Sequence, residues 1–121
     1  MNVLLVEDED LLRELVLECL ETAGHVVQAF PSPELALRRS SGQSFDLLIT
    51  DLVMPGLSGA ELADRVRLAQ PRCRVIFMSG FTDKPPHAGS GVFLRKPFTP
   101  LELSRAVDEA LGETPTPRPS G

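Results

Sequence analysis

Four short apolar runs in this chain each lead into residues that phosphate or metal chemistry can use. Val3-Leu4-Leu5-Val6 leads into Glu7-Asp8-Glu9-Asp10, and Leu47-Leu48-Ile49-Thr50 into Asp51. Val75-Ile76-Phe77-Met78 leads into Ser79, and Val92-Phe93-Leu94-Arg95 into Lys96. If Glu7, Asp8 and Asp51 meet, three carboxylates repel one another unless a proton or a cation neutralises them. A hard divalent ion does this, and Mg²⁺ keeps much of its water while taking one or two carboxylates. Asp8 and Asp51 are the expected direct ligands, with Glu7, one methylene longer, acting through water. A carboxylate such as Asp51 can also attack phosphorus and form an acyl phosphate. That transfer needs positioning and charge neutralisation more than covalent help. Lys96 can add a point charge from a long stem, and the Ser79 hydroxyl can donate to a phosphoryl oxygen.

Each of these residues alone has an ordinary reading. Acidic runs suit helix starts, a serine often ends a strand, Lys-Pro often makes a turn, and Asp often opens a loop. Their joint placement needs an architecture that gathers strand ends. Short β-rich runs alternating with helical patterns predict an α/β fold with a doubly wound parallel sheet covered on both faces. Ligands of such sheets bind at the carboxyl ends of the strands, where the strand order reverses.

Along the chain, strands are expected at about 2–6, 26–30, 46–50, 74–79 and 92–95. A first helix runs to about Ala23, with Leu12, Leu15, Val16, Cys19, Leu20 and Ala23 as its apolar stripe and Gly24 as its left-handed terminator. Ser32-Pro33-Glu34 reads as N-cap, first-turn proline and early acid of a second helix ending near Ser41-Gly42. Met54-Pro55-Gly56-Leu57-Ser58-Gly59 is loop chemistry. Ser58 with Glu61, and Thr99 with Glu102, are spaced as capping boxes for helices to Ala69 and to about Leu111. Leu103, Ala106, Val107, Ala110 and Leu111 form the buried face of the last one.

Residues 80–91 carry two prolines, three glycines and no helical stripe. A parallel crossover needs about a dozen residues, so a loop with at most one helical turn is expected there. Residues 1–112 are read as the domain. The tail 113–121 alternates proline with small polar residues and is expected to be disordered or polyproline-like.

The 121 residues suffice for one domain with a real core. Net charge is −5 with no basic cluster, which argues against direct nucleic-acid binding. No apolar stretch approaches the roughly 20 residues of a membrane span, and no signal-peptide pattern is seen, so a cytoplasmic location is expected. Cys19 and Cys73 show no metal-binding spacing and read as buried reduced thiols.

The segments VLLVEDED, LLITDLVMPGLSG, VIFMSG and FLRKPF together resemble the receiver domains of bacterial two-component response regulators, over about residues 2–111. That resemblance implies a five-stranded parallel sheet of order 2-1-3-4-5, a flavodoxin-like arrangement. It implies a phospho-accepting Asp51 charged from a phosphohistidine on a histidine kinase or phosphotransfer protein. Glu7, Asp8, Asp51 and the backbone carbonyl of Val53 match Mg²⁺ positions. Ser79 matches the switch hydroxyl, Phe93 the switch aromatic and Lys96 the family lysine, with a cis Lys96–Pro97 bond.

Two departures stand out. Glu7 replaces the commoner Asp, and the helix that relatives carry between the fourth and fifth strands looks absent or reduced to a loop, which puts their usual output face in doubt. The MSGF and FLRKPFTP phrasing resembles receivers of hybrid histidine kinases, so an excised hybrid-kinase receiver and a stand-alone regulator are both open. The competing functional reading is a pseudo-receiver that binds a partner without phosphorylation. A dehalogenase-type hydrolase is disfavoured because Val53, not a second Asp, lies two residues after Asp51.

Overall fold

The computed structural model describes residues 1–80 and 91–112. Five strands, β1 (Asn2–Val6), β2 (Val26–Phe30), β3 (Leu47–Asp51), β4 (Arg74–Ser79) and β5 (Val92–Arg95), form one parallel sheet of order β2-β1-β3-β4-β5. Among the described residues, four helices surround it: α1 (Asp10–Thr22), α2 (Pro33–Arg39), α3 (Gly59–Ala69) and α4 (Pro100–Leu111). The strand order reverses at β1 and β3, whose carboxyl ends carry Glu7 and Asp51.

The central strands β1, β3 and β4 are buried on both faces, as a parallel sheet covered on two sides requires. Val3, Leu5, Leu47, Ile49, Ile76 and Met78 pack against α1 and α4 through Val16, Leu20, Leu103 and Val107. The alternate residues Leu4, Val6, Leu48, Val75 and Phe77 pack against α2 and α3 through Ala36, Leu62, Ala63 and Val66. Alternation of side chains along each strand makes this division.

Local signals held where they rest on backbone chemistry. Both capping boxes form, with Ser58 Oγ accepting from Glu61 N and Thr99 Oγ1 from Glu102 N, each at 3.1 Å. Ser32 caps α2 by accepting from Leu35 N at 3.1 Å, and Gly24 takes φ +95° after α1. Helix α2 ends at Arg39, two residues before the expected Ser41-Gly42, and β3 extends through Asp51. The α1 stripe needs correction. Val16 and Leu20 are buried, but Leu15 is 49% exposed and Ala23 faces solvent. The helix meets the sheet along a narrower line than the full stripe. The expected loop at 80–91 and the disordered tail at 113–121 fall almost wholly on positions 81–90 and 113–121, outside the described residues.

Cys73 is buried just before β4, while Cys19 is half-buried on α1. Burial pushes the Cys73 thiol up to about 11, which suppresses the reactive thiolate. Iodoacetamide at pH 8 is therefore expected to label Cys73 at least about tenfold more slowly than Cys19, as read by peptide mass.

Candidate functional site

The carboxyl ends of β1, β3, β4 and β5 all open on one edge of the sheet. The register sets Val6 beside Thr50, Asp51 beside Met78 and Ser79 beside Arg95. Glu7, Asp51, Ser79 and Lys96 thus sit at or one step past four strand ends. The sequence reading brought them together, and the structure places them on the same rim.

Lys96 joins the carboxylates. Its Nζ lies 3.1 Å from Glu7 Oε1 and makes a close ion pair with Asp51 Oδ1. Its backbone N–H donates to the Ser79 carbonyl at 2.8 Å, which ties β5 to the end of β4. The Lys96–Pro97 bond is cis. Ser79 is half-buried at the rim. Val53, just past Asp51, is 64% exposed.

The acids differ in setting. Glu7 is fully buried and Asp51 nearly so, whereas Asp8 is exposed. Glu7 Oε2 accepts from Glu9 N at 2.9 Å. Its Oε1 has the Lys96 ammonium at ion-pair distance but no hydrogen bond of proper geometry. Ligand atoms of Glu7, Asp8 and Asp51 lie within 4.8 Å of one another. Burial, then the hydrogen bond with Glu7, push the Asp51 carboxyl up to about 8, against the lowering effect of Lys96. Burial alone would lower the Lys96 ammonium, but its bonds to Asp51 and Glu7 outweigh this and raise it. The pocket therefore holds more negative charge than one lysine neutralises. Hard oxygen donors and surplus negative charge suit a small divalent cation.

Phe93 is 39% exposed and stacks on the buried Phe77, with ring centroids 5.5 Å apart and planes at 23°.

Three supporting residues were not singled out from the sequence. Arg13 on α1 donates to the Glu7 carbonyl at 2.9 Å and pairs with Asp10 at 2.7 Å, pinning the acidic turn. Its sequence signal is weak, because a charged residue on an amphipathic helix is ordinary. Glu34 on α2 accepts from Leu57 N at 3.2 Å in the loop beyond Asp51. In the sequence it shows only as an early helical acid. Gly59 packs against the backbone of Asp51, and a Cβ there would lie 2.0 Å from the Asp51 carbonyl oxygen. A glycine as the first residue of a helix, where propensity disfavours it, was the available hint.

The profile of the response regulator receiver domain matches residues 3–108. The chain is 33% identical to the response regulator receiver protein CpdR of Brucella abortus, over 91% of this chain and 96% of that protein. It is 34% identical to the sensor kinase CckA of the same organism over 91% of this chain, but spans only 12% of that much longer protein. Among solved structures, the chemotaxis protein CheY4 of Vibrio cholerae superposes with a TM-score of 0.80 at 27% identity, over 91% of this chain and 98% of that one. No helix among the described residues is long and apolar enough to cross a membrane. Family profile, sequence identity and backbone agree with the strand-end geometry, and this chain belongs to the receiver domains of two-component response regulators.

Proposed function

We propose that this domain accepts a phosphoryl group on Asp51 from a phosphohistidine of a histidine kinase or phosphotransfer protein. The observation that carries the reading is the meeting of Lys96 with both Glu7 and Asp51, beside Asp8, at one strand edge. Mg²⁺ would be held by Glu7, Asp8, Asp51 and the backbone carbonyl of Val53. Bound there, it would neutralise the pocket and offer positions to phosphoryl oxygens.

The remaining chemistry belongs to the chain. A deprotonated Asp51 oxygen forms the new bond to phosphorus as the bond from phosphorus to the donor imidazole nitrogen breaks, and the electron pair leaves with the imidazole. Lys96 stays protonated and balances charge on the transferring group. Ser79, one strand over, donates its hydroxyl to a phosphoryl oxygen. Drawing Ser79 inward vacates space into which the exposed Phe93 ring turns, shifting the population between two surface states. Beside Lys96, Leu11 (77% exposed) and Leu15 line an apolar groove with Pro97 and Phe98, a surface on which the donor can rest. The same surface suits the receiver of a hybrid kinase or a stand-alone regulator in the cytoplasm.

The test is incubation with acetyl phosphate and Mg²⁺, read by intact mass and peptide mapping. The expected result is a gain of one phosphoryl group on the peptide containing Asp51, lost on adding a chelator beforehand. No gain from acetyl phosphate or from a panel of kinases would favour the phosphorylation-independent binding module.

A further inference from the structure

The cation pocket has two halves. One is the β1 end with Glu7 and Asp8. The other is the β3 end with Asp51 and the loop that carries Val53. Lys96 spans them from within the pocket. A second connection runs outside it. The Glu7 backbone N–H donates to the carbonyl of Phe30 at 3.1 Å, which fixes the end of β2 to the first half. Two residues later Ser32 caps α2, and the buried Pro33 restricts the first turn of that helix. From that turn Glu34 reaches across and accepts the Leu57 N–H at 3.2 Å. Among the described residues, the hydrogen bonds place no other side chain from outside the loop and α3 on the backbone N–H groups of Gly56, Leu57 and Ser58.

The contact is close as well as polar. Gly56 takes φ +82°, and a Cβ there would sit 2.5 Å from Glu34 Oε2. The turn therefore admits the Glu34 carboxylate only because residue 56 has no side chain. Met54, on the same loop, is buried, and Gly59 N donates to the Leu52 carbonyl at 2.9 Å. The loop is closed at its base, anchored at Met54, and held at its tip by Glu34.

We infer that Glu34 is a positioning residue that sets the distance between the two halves of the cation pocket, acting through Leu57 and Gly56 on the placement of Val53 and Asp51. Glu34 touches neither the cation nor the phosphoryl group. Its influence on affinity comes from holding the donors in place, as outer-shell partners of metal ligands do. The inference rests on the reading of this pocket as a divalent-cation site.

The experiment compares Glu34→Ala, Glu34→Gln and Glu34→Asp with the wild type. Two quantities are measured: the Mg²⁺ dissociation constant by calorimetry, and hydrogen exchange at the Leu57 amide. Glutamine keeps an acceptor oxygen at the same reach without the charge, while aspartate keeps the charge and loses the reach. Glu34→Ala and Glu34→Asp are expected to weaken Mg²⁺ binding roughly tenfold or more and to speed exchange at Leu57. Glu34→Gln is expected to stay within about threefold of the wild type in both measurements, because a neutral acceptor keeps the bond. Unchanged affinity in Glu34→Ala overturns the inference and leaves the cation-site reading standing. A loss in Glu34→Gln that Glu34→Asp does not share also overturns it, since that pattern means long-range charge rather than a bond. A wild type that binds no Mg²⁺ ends the cation-site reading and this inference together.

Discussion

Asp51→Asn is expected to abolish phosphoryl incorporation and, in the absence of divalent cations, to make the domain more stable. The first effect follows from chemistry, because a carboxamide is not a nucleophile toward phosphorus under these conditions and carries no charge. The second follows from the pocket. Asp51 is 3% exposed and stands beside the buried Glu7 carboxylate, and its carboxyl is pushed up to about 8. A group whose folded pKa lies above its unfolded value stabilises the fold fully below the unfolded value, here 3.8, and loses that contribution as pH rises through about 8. The advantage of the variant therefore grows between about pH 4 and pH 8 and levels off above. The Asp51→Asn substitution forfeits the ion pair with Lys96, but Glu7 still holds that ammonium at 3.1 Å.

One pKa unit corresponds to about 1.4 kcal/mol of differential interaction, so the raised Asp51 carboxyl sets a gain on the order of a few kcal/mol at pH 8. Thermal unfolding followed by circular dichroism in chelator across this range measures it. Saturating Mg²⁺ should narrow the gap, because a ligand at a hundred times its dissociation constant stabilises by about 2.7 kcal/mol and the wild type offers the better site. A variant less stable than the wild type at pH 8 without metal would show that the pocket is not overloaded with negative charge.

Gly59→Ala is expected to cost about 3 kcal/mol or more of stability, a larger loss than most single substitutions bring. The added Cβ would lie 2.0 Å from the carbonyl oxygen of Asp51 and 2.9 Å from both its carbonyl carbon and the Cα of Leu52. All three are backbone atoms and cannot rotate aside. Gly59 has no positive φ, so space and not backbone conformation makes the demand. The gain of about 1 kcal/mol from replacing glycine by alanine in a helix cannot offset this. Either the start of α3 moves outward or the end of β3 shifts, and the second displaces Asp51 itself. Urea unfolding should show a lower midpoint, and phosphoryl uptake should fall with it. Ser58→Ala, which removes the neighbouring cap, provides the scale of an ordinary loss at this helix start, about 1 kcal/mol. Equal effects of the two substitutions would mean that α3 can recede freely from Asp51.

The boundaries of most elements were readable from short-range patterns. Ser58 with Glu61, Thr99 with Glu102, and Ser32 before Pro33 act within a single turn, so spacing alone predicts their bonds. Leu15 misled because a helical stripe shows which residues share a side, not how wide the contact with the sheet is. The gathering of Glu7, Asp51, Ser79 and Lys96 was also readable, since a parallel sheet carries all its strand ends to one edge.

Other properties of the site depend on contacts between distant segments. Glu7 and Asp8 are adjacent acids with nothing in their types to separate them, yet packing sealed the first from water and left the second exposed. Burial of Asp51 itself, then the buried Glu7 beside it against the nearby Lys96, governs how Asp51 titrates. The roles of Glu34 and Gly59 arise where one piece of backbone meets another, 23 residues away for the Glu34–Leu57 bond. The strands, caps and chemical inventory of this receiver domain are written in neighbouring residues, because periodicity and capping are local physics. Which carboxylate is buried, how far apart the donors stand and where a single methyl group cannot fit follow from long-range packing, which no local pattern encodes.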